Sequence, residues 1–336
     1  MSFNRLDPQD FVVSADAVSS AAWSSNIPTL TTFFTSSAQE TGQSGEFYLN
    51  VLNTGSDQPN SEIQFAIAYC DSTGGGASSY NPTVNNYSPS TTMYGSYRTL
   101  VLEDENSSFT FGDGTNLITG SDFWVLSVER ARYKEKLFPG TFNLTLTNGS
   151  DTIQLTDNSN VTKVQTFLGS NRVLQIVSGS NGTPYNTTGY VTDSGSYGLF
   201  LPDIGTILLN PDAISQSINV VPTRTADLPN GTNQAILYNS IVEGASFTLN
   251  AKETITSDYV FVRSRNAEFN YSENPSFISG STGEVIYTQF INNPQVYITT
   301  VGMYNDANEL VAVAKLSKPL LKDFTKESLI RVKLDF

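Results

Sequence analysis

The side chains that do most chemistry near neutral pH are scarce in this sequence: there is no histidine and a single cysteine, Cys70. Without an imidazole, Ser-His-Asp and Cys-His activation, histidine acid-base catalysis and histidine-ligated zinc or iron are all excluded. Carboxylates remain, either as a pair acting on a glycosidic bond or as oxygen ligands of a hard cation. Their best cluster is Glu103-Asp104-Glu105 with Asp113, in LEDENSSFTFGDGTN. It lacks the alternating ligand spacing and downstream glutamate of a calcium loop, so it reads as a solvated turn. The glycines of AYCDSTGGGASSYNP follow a strand pattern, but no lysine follows them and Asn81-Pro82 blocks a helix start. A mobile loop is expected there rather than a phosphate cradle. No catalytic residue, metal site or cofactor site is expected anywhere in the chain.

The elements that would position any site are strands. Only 15% of the 336 residues are charged, and solubility rests on Ser, Thr, Asn and Gly, which are poor helix formers. Apolar residues alternate with period two at Phe47, Leu49 and Val51, at Ile63, Phe65, Ile67 and Tyr69, at Phe142, Leu144 and Leu146, and at Ile330, Val332, Leu334 and Phe336. Each set marks one buried face, and the last predicts that the closing segment is a sheet strand. Turn chemistry separates the runs. Asn148-Gly149 and Asp113-Gly114 suit tight hairpins with positive φ at both turn positions, and Pro139-Gly140 suits a type II turn. NQAILYNSIVEG, closed by Gly244, is the best helix. The fold class is therefore all-β with few short helices, an antiparallel β-sandwich core with a polar β-rich insertion and an extended N-terminal arm.

Composition divides the chain into an arm over 1–45, a first part of the core over 46–147, a polar Gly-rich insertion or second domain over 148–233, and a second part of the core over 234–336. The arm holds Trp23, Phe33 and Phe34, which must dock to be buried. No signal peptide and no membrane-length apolar run is read, and one cysteine excludes an internal disulfide.

Charge is distributed unevenly. The chain carries a net −14, which argues against nucleic acid and anionic membranes as partners. Yet ten of its eighteen basic residues fall in two short segments. In WVLSVERARYKEKLFPG, residues Arg130, Arg132, Lys134 and Lys136 share one parity, so on a strand they would emerge from one face. The closing segment holds Lys315, Lys318, Lys322, Lys326, Arg331 and Lys333. Each set reads either as a solvated strand face whose lysines guard an edge, or as a docking surface for an acidic neighbour.

RARYKEKLFPGTFNLTL, EFNYSENPSFISGSTGEV and VGMYNDANELVAVAKLSKPLLKDFTKESLIRVKLDF together resemble virion structural proteins of contractile-tailed phages infecting cyanobacteria. The closing YND-N-L-AVAKLSKP pattern and the terminal RVKLDF are most similar to a baseplate wedge component. The resemblance implies a β-rich, non-enzymatic assembly protein, made in the host cytoplasm and placed in several copies in the tail or baseplate. Its partners would be other tail proteins and copies of itself. Two alternatives stand beside it. One is a host-recognition or carbohydrate-binding tail-fibre module using Tyr271, Phe277 and Phe269 around NYSENPSF. The other is a carboxylate-based glycan hydrolase, for which no residue pair stands out and no β-helix repeat is visible.

Overall fold

The computed structural model describes residues 4–335 apart from 36–47, 82, 84–86, 113–116, 163, 187–191, 226–227 and 230. Phe47, the Asp113-Gly114 turn, Phe336 and the last part of the arm lie outside the described residues. In chain order the elements begin with β1 (Phe11–Ala21), β2 (Thr29–Leu30), β3 (Tyr48–Leu52), β4 (Ile63–Asp71) and α1 (Pro89–Leu102). Next come β5 (Phe109–Phe111), β6 (Ile118–Gly120), β7 (Asp122–Val128), β8 (Lys136–Leu137), β9 (Asn143–Asn148) and β10 (Asp151–Asp157). They continue with β11 (Thr166–Leu168), β12 (Asn171–Ser180), β13 (Thr183–Pro184), β14 (Gly198–Leu201), β15 (Thr206–Leu209), α2 (Pro211–Ile218) and α3 (Thr232–Gly244). The last are β16 (Phe247–Thr248), β17 (Asn250–Ser264), α4 (Gln289–Asn292), β18 (Val296–Tyr304), β19 (Leu310–Lys322) and β20 (Ser328–Asp335).

The chain is mostly β and forms two compact units, Val18–Glu253 and Thr254–Phe336 with Met1–Ala17. In the larger unit a curled antiparallel sheet runs in the order β2-β16-β9-β10-β12-β14-β15-β7-β4-β3. The polar 148–233 segment supplies β10, β12, β14 and β15 to this sheet, so the shift in composition at 148 does not coincide with a boundary between units. The central strands are buried on both faces. Phe65, Ile67 and Tyr69 of β4 and Trp124 and Leu126 of β7 belong to one core, with α2 and α3 against it. Ala68, Cys70, Phe123 and Val125 point into a second core closed by α1 and β5. This is why those strands read as nearly continuous apolar runs, against the expectation of one buried face.

Local chemistry explains the joints. Thr141 N–H donates to Phe138 O and Gly140 has φ +85, the type II turn that Pro139-Gly140 predicts. The β9–β10 hairpin is displaced by one residue from its expected place: Asn148 pairs with Asp151, so the turn residues are Gly149 and Ser150. Only Gly149 has positive φ, at +62, the type II′ pattern. A Cβ on Gly149 would meet no atom within 4 Å, so substitution there costs backbone strain alone. Gly149→Val is expected to destabilise by about 1–3 kcal/mol, read as a lower denaturant midpoint, and an unchanged midpoint would refute the turn.

The helix over NQAILYNSIVEG is α3, but its left-handed cap is Ala245, φ +47, not Gly244. Gly244 serves close packing instead, because a Cβ there would lie 2.1 Å from Thr145 O of β9. The glycine loop after β4 is packed and hydrogen-bonded as far as Ala77. Asp71 accepts bonds from Thr73 and from Gly75 N–H, and Gly74 to Ala77 are buried.

In the smaller unit, residues 257–264 of β17 pair antiparallel with 328–335 of β20. Val332 is buried and Ile330 and Leu334 are half-buried, while Leu329, Arg331 and Lys333 are exposed, so the predicted closing strand and its alternation are both present. Among the described residues β18 and β19 pair only with each other.

Candidate interaction surface

Arg130, Arg132, Lys134 and Lys136 do not share a strand face. Arg130–Arg132 is one turn of 3-10 helix, because the Arg130 guanidinium folds back onto Tyr133 O at 2.7 Å and onto Lys134 O. That same guanidinium lies 4.5 Å over the Tyr133 ring. Arg132 pairs with Glu62 at 2.7 Å, Lys134 with Glu253 at 2.9 Å and Lys136 with Glu135 at 2.7 Å. Period-two spacing mimicked a strand, but each charge has a partner within its own unit. An open cleft of about 190 Å³ beside Tyr133, Lys134 and Lys252 is thus lined by charges already spent on neighbours.

The C-terminal basic residues separate into three kinds. Lys326 pairs with Asp323 at 3.3 Å, Lys333 with Asp335 at 2.9 Å, and Arg331 lies 5.2 Å over Tyr259. Lys322 is fully buried, and its Nζ donates to Asn270 Oδ1 at 2.8 Å and to Asn266 O and Asp323 O at 3.1 Å. It is an internal tie between loop and strand rather than a docking charge. Lys322→Met leaves three acceptors without their donor and should cost about 3 kcal/mol, whereas the exposed change Lys318→Glu should stay within about 0.5 kcal/mol. Equal melting shifts for the two variants would contradict this. Lys315 and Lys318 alone of the six are exposed with neither an ion pair nor a ring contact among the described residues.

Those two lysines sit on the β18–β19 hairpin. No residue from Val296 to Leu321 is buried, although the strands read VYITTVGMY and LVAVAKLSKPLLK. Tyr297 is 65% exposed, Leu310 54%, Val311 69% and Val313 57%. The aromatic group around NYSENPSF centres on Phe277, which is buried and stacked on Phe290 at 5.4 Å, with Tyr271 and Tyr287 exposed at its edges. Phe269 is half-buried with φ +53.

Glu103, Asp104, Asp122 and Cys70 are each held by local contacts or burial. Glu103 accepts from Ser170 N–H at 3.0 Å and from its hydroxyl, and Asp104 from Asn106 N–H and Ser107 Oγ; these bonds hold both carboxyls below their usual range. The buried Asp122 accepts two bonds from Arg224, at 2.9 and 3.1 Å, and one from Tyr69 at 2.8 Å. Burial pushes the Asp122 carboxyl up against the pull of these donors. For Arg224, burial is outweighed by Asp122 and Asp212, which raise the guanidinium and clamp its loop to β7 and α2. Burial also raises the Cys70 thiol. Among the described residues no three His, Cys, Asp or Glu side chains are grouped to hold a metal ion, and no helix is long and apolar enough to cross a membrane. Comparison with protein-family models, curated proteins and solved structures finds no match to this chain.

Proposed function

We propose that this chain is a non-enzymatic structural subunit of a contractile phage tail, seated in the baseplate wedge, where it holds neighbouring virion proteins in register. The observation that carries the assembly reading is the β18–β19 hairpin. A two-stranded ribbon is marginal in water, and a contiguous exposed apolar surface marks a protein–protein contact. This hairpin keeps Leu310, Val311 and Val313 in solvent, with no third strand among the described residues. The resemblance of the closing sequence to baseplate wedge components supplies the particle, and the structural use of Glu103, Asp104 and Asp122 supports the non-catalytic part. An electron-microscopy map of the virion tests the proposal: density for this chain in the wedge is expected, and its location in the neck or a fibre would overturn it. Turnover of a polysaccharide or peptide panel, abolished by mutating one carboxylate, would overturn the non-enzymatic part.

A second reading, a host-recognition module that binds glycan, is favoured by one observation: Tyr271 and Tyr287 stand exposed beside the Phe277–Phe290 stack. Glycan-array binding lost in Tyr271→Ala would support that reading over the first.

A further inference from the structure

We propose that the outer face of the β18–β19 hairpin is a two-fold interface between two copies of this chain, stacked antiparallel, an inference that rests on the assembly reading above. Directly paired residues of antiparallel strands project from the same face. The pairs Thr300–Lys315, Gly302–Val313 and Tyr304–Leu310 therefore share the outer face, and it is apolar apart from its lysine end. The pairs Val301–Ala314 and Met303–Ala312 form the inner face, where all four side chains are half-buried. Tyr304, Leu310, Val311 and Val313 are the exposed ones.

The edge of β19 is built to refuse another strand. The register steps from Ala312 to Leu310 opposite Met303 and Tyr304, which leaves Val311 as a bulge. It steps again from Leu320 to Lys315 opposite Ile298 and Thr300, in a stretch that carries Lys318 and Pro319. Bulges, lysine and proline are the devices that blunt an edge. What this hairpin leaves open is a face, and faces are covered by packing a second layer upon them.

Charge placement names the occupant. Asp306 and Glu309 lie at the tip of the hairpin, while Lys315 and Lys318 lie toward its base, so the hairpin is negative at one end and positive at the other. A parallel stack of two such hairpins sets like charges together; an antiparallel stack sets each tip over the other base. A two-fold axis across the outer face therefore sets the acidic tip of each copy over the lysine-bearing base of the other, as an isologous contact requires.

The test uses the full chain in sedimentation equilibrium at ~0.15 M salt, where surface charges still act over about 8 Å. The wild type should dimerise with concentration, and Val313→Glu should be monomeric with an unchanged circular-dichroism spectrum. The variants Lys315→Glu/Lys318→Glu and Asp306→Lys/Glu309→Lys should each be weakened about tenfold or more, since repulsion replaces attraction at both ends of the stack. Mixed in equal amounts they should form a heterodimer, because every acid again meets a lysine. A wild type monomeric at all concentrations, a dimer indifferent to Val313→Glu, or a mixture no better than its components would each overturn the interface. The tail reading fails separately: a chain seated in the wedge as a monomer sinks only this interface, and a dimer absent from the wedge sinks only the location.

Discussion

Trp23→Ala is expected to lower the unfolding free energy of the larger unit by about 3–5 kcal/mol, the range for truncating a buried aromatic. Trp23 lies in the segment that reads as an arm, but it is 2% exposed and sits inside the main core. Its ring centroid is 4.8 Å from that of Phe247 and 6.0 Å from that of Phe65, and its Nε1–H donates to Phe247 O at 2.8 Å. Phe247 belongs to the two-residue β16, which bridges Leu144 of β9 and Leu30 of β2. Removing the indole thus empties a large volume and also strands a buried carbonyl beside a strand too short to hold its place alone. Trp23→Phe, which keeps most of the apolar area and loses the hydrogen bond, should cost about 1–2 kcal/mol. Urea unfolding followed by far-ultraviolet circular dichroism measures both. A midpoint shift for Trp23→Ala no larger than that for the exposed Ile27→Ala would show that the arm is not docked.

The sequence made the strands legible wherever one face is buried and the other wet, as in β20, and made turns legible where one residue type is demanded by φ, as at Pro139-Gly140. It hid α1. PSTTMYGSYRTLVL shows no helical stripe and is rich in poor helix formers, yet Thr92, Ser96 and Thr99 turn their hydroxyls back onto carbonyls four residues earlier. Those bonds satisfy the hydroxyls within the helix itself, so the usual competition from solvent-exposed turns is lost. The helix α2 carried a readable signal that composition masked: Asn210 caps Asp212 N–H, Pro211 occupies the first turn, and Asn219 closes the helix at φ +54.

The surface was legible only in part, for a physical reason. Counting lysines and arginines along the chain finds charge but not those partners that are distant in sequence: Glu62 for Arg132, Glu253 for Lys134, and Asn266 and Asn270 for Lys322. Once these are assigned, the basic segments shrink to Lys315 and Lys318, and what distinguishes their hairpin is apolar exposure. That feature cannot be read from VYITTVGMY, because the same alternation would serve a buried strand.

A chain ending at Glu327 should lose the ordered core of the smaller unit. Its β17 would then lose β20 along 257–264, where all eight residues now pair with it, and keep only β1 on its other edge. Val332, 6% exposed, pairs with Val260, 1% exposed; burying such a side chain is worth about 1.5–3 kcal/mol, and Ile330 and Leu334 add part of that each. The loss also uncovers a long edge with Tyr259, Phe261 and Val262 upon it, which invites aggregation. The far end of the strand is tied by Ser257 Oγ, 2.6 Å from Asp335 Oδ1, and by Lys333; these bonds hold the Asp335 carboxyl below its usual value. A carboxyl lowered in the folded state adds stability above its ordinary pKa and withdraws it as the pH falls through the folded one, so in the intact chain this end should loosen first in acid. Hydrogen exchange reads both effects. In the truncated chain, protection at residues 259–262 should fall well below that of the intact chain, and protection there equal to the intact chain would show that β20 is decoration on a fold that stands without it.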